Sequence, residues 1–199
     1  RHLQLRRAAL PVHRHPGGIL DLVGQLRIQD PVPATAGFGH QTTVAALRFT
    51  LTGDDEDDPD YSVTRNGFRS LTGSTAGLQL ITDLQVGRTF TGQQDGAIDQ
   101  QWTVVFEPEA ALQINQPLPG GTLDISGTLG WSRGGESLDL TVTTPAPLHY
   151  ASECTDTPQR FDGGELRAAG TFDGAQGYVR LRWTTCGRDP EIRFVAVGE

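Results

Sequence analysis

The sequence has no lysine, no methionine and no long hydrophobic run. All 16 of its basic residues are arginine, and aromatic residues make up only 7% of the 199 positions. Because no apolar run approaches about 18 residues, a membrane-spanning helix is excluded. The use of arginine alone is typical of a GC-rich bacterial genome. A chain without methionine lacks an initiator residue, so we expect a mature or trimmed product.

Basic residues are also fewer than acidic ones, 16 against 24, so the formal net charge is −8. This balance argues against nucleic acid as the main partner, because binding a polyphosphate needs a basic surface. The charge is uneven: residues 1–15 carry four arginines and three histidines without an acid, whereas residues 53–60 carry six carboxylates. We interpret residues 1–17 as a basic N-terminal arm and residues 18–199 as a single all-β domain.

Cysteine occurs only at Cys154 and Cys186. Two cysteines with no other thiol predict one disulfide bond, and disulfides persist in oxidising compartments. The expected location is therefore extracellular, periplasmic or at the cell surface. A zinc site is not expected, since the Cys-x-x-Cys spacing is absent and no histidine lies near either cysteine in the sequence.

What the sequence does have is an almost continuous alternation of apolar and polar residues. Between Leu123 and Trp131, for example, every second position is apolar or glycine. The same alternation recurs at residues 20–28, 45–51, 78–84, 86–90, 102–106, 112–114, 138–142, 166–172, 179–183 and 192–196. A period of two is typical of β-strands with one buried face, and no long stretch follows the helical period. The pattern predicts an all-β protein of about eleven strands.

Turn residues separate these strands. Gly134-Gly135 and Asp173-Gly174 each lie between two alternating runs, where residues with positive φ favour tight hairpins. From Ala110 onward the chain therefore reads as a meander of antiparallel strands, whereas residues 30–42 and 53–77 read as long loops. We predict an antiparallel β-sandwich with a C-terminal meander, and the alternative is a closed soluble β-barrel.

The acidic run at residues 54–60 supplies the candidate metal ligands, which are Asp54, Glu56, Asp58 and Asp60. Closely spaced carboxylates on a loop are a ligand set that suits Ca²⁺. An EF-hand is excluded, because Pro59 replaces its invariant glycine and Arg65 stands in place of its bidentate glutamate. The competing interpretation is a solvated loop that binds no ion. No other cofactor is expected.

Three tyrosines next to loops, Tyr61, Tyr150 and Tyr178, are the candidate ligand-binding residues, because exposed aromatic rings stack on sugars. The tryptophans Trp102, Trp131 and Trp183 are in register with apolar neighbours, which predicts core packing. No catalytic residue is assigned: Gly130–Gly134 has the letters of a nucleophile elbow, but a strand-like alternation follows at once and favours a hairpin.

These observations favour a non-enzymatic, exported bacterial β-domain that acts in binding or assembly at the cell envelope. Its partner would be a protein or a glycan at the cell surface, and the basic arm offers a route to self-association by strand addition. One alternative is a calcium-dependent carbohydrate-binding or adhesion module. Another is a hydrolase whose site residues meet only in three dimensions.

Overall fold

The computed structural model describes residues 3–6, 19–30, 38–52, 60–90, 92–154 and 160–197, with side chains from residue 21 onward. Over these residues the chain forms β-strands and their connections, and none of them belongs to a helix. The strands in chain order are β1 (Leu3–Arg6), β2 (Ile19–Gln29), β3 (Gly39–Thr52), β4 (Tyr61–Ser74), β5 (Gly77–Phe90), β6 (Gly96–Pro108), β7 (Gly121–Arg133), β8 (Glu136–Tyr150), β9 (Phe161–Phe172), β10 (Ala175–Trp183) and β11 (Glu191–Ala196).

All of these strands belong to one sheet, in which each strand pairs antiparallel with its neighbours in the sequence. Within the described ranges no pairing joins β11 to β1, so the sheet is open at both edges. The all-β prediction is confirmed. The described residues confirm neither a two-layer sandwich nor a closed barrel. They also contain no helix with the length and apolar character needed to cross a membrane.

The strand register sorts the side chains onto two faces. Residues paired directly across an antiparallel sheet project on the same side, and successive residues of a strand alternate. The apolar face carries Leu78 and every second residue after it in β5, together with their partners on the other strands. Along one row, Leu78 pairs with Phe106, which pairs with Leu123. The opposite, polar face carries mainly threonine, glutamine, serine and charged residues.

In the first half of β6 the apolar face is less exposed than the polar face. In β6 the apolar-face positions from Gly96 to Phe106 are half-buried or buried, whereas Ala97, Asp99 and Gln101 on the polar face are exposed. All described strands lie in the same sheet, so a second sheet does not provide this cover among them. We infer that the apolar side chains shield one another, as they do on the inner side of a curved sheet.

One end of the apolar face, which we call the closed end, carries the hydrophobic core. Phe106 on β6 packs there with Phe38, which precedes β3, and with Leu112 from the cap loop, defined as residues 109–120 between β6 and β7. All three side chains are buried. The cap loop is held in place by the Leu112 amide, which donates a hydrogen bond to the Thr75 carbonyl over 2.8 Å.

Aromatic rings extend this core along the closed end. Tyr150 contacts Phe106 and Phe161 edge-on, with ring centroids 6.3 and 6.4 Å apart, and Phe161 contacts Trp183 at 5.5 Å. Edge-on contacts at such distances contribute about 0.5–1.5 kcal/mol each beyond the area they bury. These four rings lie on β6, β8, β9 and β10, so they fasten the strands at the closed end to one another.

Several sequence expectations differ from the structure. Residues 78–84 and 86–90 form one strand, β5, rather than two. Most of the interval 53–77, expected to be a loop, is the strand β4, whose apolar-face positions include Arg65 and Arg69 and so break the alternation. The run 112–114 is not a strand but part of the cap loop, with Leu112 buried and Ile114 exposed.

The predicted hairpins are confirmed. Gly134 and Gly135 join β7 to β8 with φ of 62° and 87°, and Asp173 and Gly174 join β9 to β10 with φ of 50° and 82°. Positive φ at both turn residues matches the right-handed twist of the flanking strands. The letters of a nucleophile elbow at Gly130–Gly134 therefore belong to the end of a strand and its turn, not to a strand–turn–helix.

The predicted disulfide is also present. Cys154 and Cys186 are bonded, with Cα atoms 5.8 Å apart and a sequence separation of 32. The bond joins the β8–β9 connection to the β10–β11 connection, both at the closed end. Cys154 is buried at 3% exposure. The crosslink therefore ties the last three strands of the sheet to its core.

We expect the double substitution Cys154→Ser with Cys186→Ser to lower the free energy of unfolding by about 3–4 kcal/mol, because it releases a long closed loop in the unfolded state. Urea unfolding of the two proteins measures this loss. A reductant should have the same effect on the unmodified protein and none on the variant. Equal stability of the unmodified and variant proteins would contradict this role.

Candidate functional site

The end of the apolar face opposite the core, which we call the open end, carries a pair of arginines. Arg88 on β5 pairs in register with Gly96 on β6, and Gly96 pairs with Arg133 on β7. The three residues therefore share one row of the apolar face. Since glycine has no side chain, the space between the two arginines is left clear. We call Arg88 and Arg133 the arginine pair.

A cavity of about 120 Å³ lies beside the arginine pair. Its apolar walls come from residues of β5, β6 and β7: Val86, Phe90, Ile98 and Trp131. The lining is thus mixed, with apolar side chains on one part and the two arginines and Gln94 on another. Small-molecule sites in proteins commonly have this composition, in which a few polar groups fix the orientation of a mostly apolar ligand.

The charge of the arginine pair is not neutralised within the described residues. Neither arginine lies within ion-pair distance of a carboxylate there, and Arg133 makes only a 3.4 Å hydrogen bond to the Gln93 side chain. Some other arginines of the described ranges have carboxylate partners: Arg180 and Arg193 contact Glu191, and Arg167 contacts Glu165. Arg48, Arg65 and Arg69 resemble the arginine pair in having no ion pair there. The open end therefore presents guanidinium groups that are available to an anion.

Two further charges share this part of the apolar face. Arg65 on β4 pairs with Val86, which places it diagonally across from Arg88 and adds a third positive charge. Glu136 pairs with Arg133 at the start of β8 and brings one negative charge. The balance of the row and its neighbours is positive, in a protein whose net charge is −8.

A second cluster of charged residues lies at the closed end. His149 at the end of β8 contacts Glu109 of the cap loop through Nε2, at 2.9 Å, and Asp162 of β9 through Nδ1, at 2.5 Å. Both carboxylates act as acceptors, so both ring nitrogens must carry a proton to satisfy them. The arrangement therefore favours the imidazolium form of His149.

The hydrogen bond to Glu109 raises the pKa of His149 above its ordinary value of 6.5, and the hydrogen bond to Asp162 adds to this, while partial burial opposes it. A histidine with both nitrogens engaged by carboxylates is a poor general base, because it has no free lone pair. The cluster instead connects the cap loop to β8 and β9. Glu109 also donates its backbone amide to Gly120 over 2.8 Å, which closes the base of the loop.

Most of the predicted metal ligands lie outside the part of the chain that the structure describes. Asp54, Glu56 and Asp58 lie outside the described residues, and Asp60 immediately precedes β4. Calcium binding at these residues therefore stays a prediction. Among the described residues no group of three or more histidine, cysteine, aspartate or glutamate side chains is placed to hold a metal ion.

The three candidate tyrosines lie in three different places. Tyr61 stands beside Phe90 near the open end, with ring centroids 4.6 Å apart, and Tyr150 belongs to the aromatic contacts of the closed end. Tyr178 lies on the polar face, where the Arg167 guanidinium sits 4.8 Å from the centre of its ring. They do not form a common ligand platform.

Sequence reasoning missed the arginine pair, because its members are far apart in the chain and meet only through strand register. One signal was available: Arg88 and Arg133 both fall at apolar-face positions of alternating strands. Trp131, which was expected in the core, is 38% exposed. It lies two residues from Arg133 and on the same face of β7.

Comparisons with known proteins identify no relative. No protein-family model matches the chain, and no curated protein or solved structure matches it significantly.

We expect the stability of the protein to fall as the pH rises through the raised pKa of His149. The folded state binds this proton more tightly than the unfolded state, so the contribution is complete below the unfolded value of 6.5 and is lost above the folded value. The side chains are partly exposed, so the loss should be on the order of 1 kcal/mol or less.

Urea unfolding at about pH 5.5 and about pH 8.5 measures this effect, since the two values bracket the titration of histidine. The difference between them should shrink in His149→Gln and stay unchanged in the control variant His40→Gln. If His149→Gln keeps the full pH dependence, His149 is not its source.

Proposed function

We propose that the chain is a non-enzymatic, exported binding domain that holds the hydrocarbon chain of an amphiphile against its apolar face. The observation that carries this proposal is the apolar face of an open sheet, which ends beside a cavity at the open end. Its exposed side chains include Trp131 at 38%, and Ile192 and Phe194 on the edge strand β11 at 66% and 52%. Exposed apolar surface of this kind commonly marks an interaction site.

The inferred curvature of the sheet and the cover over its closed end favour a hydrocarbon chain over a folded protein as the occupant. A face that curves inward suits a narrow ligand, whereas protein interfaces of standard size are broad. Phe38 and Leu112 cover the face at the closed end, so a chain that enters from the open end meets the core there. The proposal thus replaces the protein or glycan partner expected from the sequence with an amphiphile.

Two observations support a binding role rather than catalysis. Both ring nitrogens of His149 are engaged by carboxylates, which favours its cationic form and leaves no lone pair free for a general base. The apolar lining of the open-end cavity contains no histidine, cysteine or carboxylate that could act as a base or a nucleophile. Export is supported by the disulfide, because such bonds are rare in reducing compartments. Action at a bacterial cell envelope follows from the sequence alone and is part of the same proposal.

The proposal is tested with an uncharged amphiphile, 1-dodecanoylglycerol, kept below its aggregation threshold in a calorimetric titration. We expect binding by the unmodified protein. Leu84→Ser, which removes an apolar-face side chain of β5, should weaken it about tenfold, because the hydrocarbon chain then loses a leucine-sized contact.

The matched control is Ile81→Ser, which removes an apolar side chain of the same strand from the polar face, where Ile81 is 36% exposed. This variant should bind like the unmodified protein. Thermal melting of both variants shows that each is folded before titration. Lack of any binding, or equal weakening by both substitutions, would contradict the proposal.

A further inference from the structure

We propose that the arginine pair binds the anionic headgroup of a single-chain amphiphile, a carboxylate or a phosphate monoester, whose hydrocarbon chain runs from the open end toward the closed end. This inference rests on the proposed function and adds the chemical class of the ligand and its orientation. Guanidinium groups are suited to such headgroups, because their planar donors match carboxylate and phosphate oxygens.

The spacing of Arg88, Gly96 and Arg133 allows the two arginine side chains to contact one anion. Neighbouring strands lie about 4.8 Å apart, so the arginine backbones stand about 10 Å from each other across the glycine. A Cβ placed on Gly96 would have only the Ser132 carbonyl oxygen within 4 Å, at 3.4 Å. No other side chain therefore fills the space over Gly96, and two long arginine side chains can converge there on one anion.

Arginines outnumber acids at the apolar-face positions near Gly96. Arg65 lies diagonally next to Arg88, so three arginines stand on this part of the face against one carboxylate, Glu136. The segment between β3 and β4 carries six carboxylates in the sequence, so the arginine pair itself, and not the charge of the whole end, favours an anion. The arginine pair has no carboxylate partner among the described residues, which leaves its charge to an external group. A glutamate at the edge of the row should weaken anion binding without preventing it.

Apolar side chains form the next row inward from the arginine pair, and in the row beyond it Leu84 and Leu129 flank the polar Gln100. The row next to the arginine pair holds Val86, Ile98 and Trp131, which are paired across β5, β6 and β7 and line the cavity. A headgroup held over Gly96 would place the first carbons of its chain against these residues. Ligand binding would then cover Trp131, which accounts for a large aromatic residue standing exposed on an apolar face.

The face is long enough for a fatty-acyl chain. Ten residues of β6 separate Gly96 from Phe106, which at about 3.3 Å per residue spans about 33 Å. Beyond Phe106 the cap loop and Phe38 close the face, so the chain has one direction in which to run. The charged end and the closed end together fix the orientation of the ligand.

Calorimetric titration with dodecanoate, compared with 1-dodecanoylglycerol, tests this inference. We expect the unmodified protein to bind dodecanoate at least about tenfold more tightly, since a hydrogen bond to a charged group is stronger than one to a neutral group. Arg88→Gln and Arg133→Gln should each remove most of this preference while leaving the affinity for 1-dodecanoylglycerol unchanged. Glu136→Gln should strengthen dodecanoate binding alone.

Two controls separate the site from general charge effects. Arg48→Gln removes an exposed arginine from the polar face and should change neither affinity. Inorganic phosphate, which offers the headgroup chemistry without a chain, should bind at least about tenfold more weakly than dodecyl phosphate, because it buries no hydrocarbon. Dodecyltrimethylammonium should bind no better than 1-dodecanoylglycerol, since its charge has the wrong sign.

The outcomes distinguish this inference from the proposed function. If dodecanoate and 1-dodecanoylglycerol bind equally and the substitutions in the arginine pair have no effect, the proposed headgroup site is wrong. The proposal of hydrocarbon binding then still stands. If no amphiphile binds, both proposals are wrong. If Arg48→Gln reduces dodecanoate binding as much as Arg88→Gln does, the preference comes from overall charge and the inference is overturned. Equal binding of inorganic phosphate and dodecyl phosphate would overturn it as well.

Discussion

Antiparallel pairing of each strand with the next one in the sequence is the constraint on which the rest of the structure depends. It sorts every second side chain onto one face, and it does so over strands of up to 15 residues. The described strands all belong to one sheet, so no second sheet among them covers the apolar side chains. This differs from the arrangement of a sandwich, in which a second sheet covers the apolar face.

The two ends of the apolar face differ because their connections differ. At the closed end the cap loop, the aromatic contacts, the His149 cluster and the disulfide hold neighbouring strands together. At the open end the described connections are short turns such as Gly134-Gly135, which cover little of the sheet. The polar and covalent contacts that fasten the described strands therefore lie at one end, and the arginine pair lies at the other.

The period of two in the sequence was sufficient to predict the all-β fold, two of the tight hairpins and the C-terminal meander. This pattern did not predict the structure where a polar residue occupies the apolar face of a strand, or where an apolar residue of a loop is buried. Arg65 and Arg69 occupy apolar-face positions of β4, so this strand read as part of a polar loop. The reverse error occurred at Leu112, whose burial comes from packing on Phe106 rather than from a strand.

Site residues were harder to predict than strands, because register decides which of them meet. The disulfide was predictable, since only two cysteines exist to pair. His149 lies 40 positions from Glu109 and 13 positions from Asp162, and Arg88 and Arg133 meet across a glycine of a third strand. No spacing rule in the sequence links such residues until the strand partners are known.

We propose above all that the apolar face is accessible from the open end and is the surface that a ligand covers. Acrylamide quenching of Trp131 fluorescence, in a protein that carries Trp102→Phe and Trp183→Phe, measures this accessibility. We expect strong quenching of the free protein and clear protection when dodecanoate is added. A Trp131 that is already shielded in the free protein, or one that dodecanoate leaves equally accessible, would contradict it.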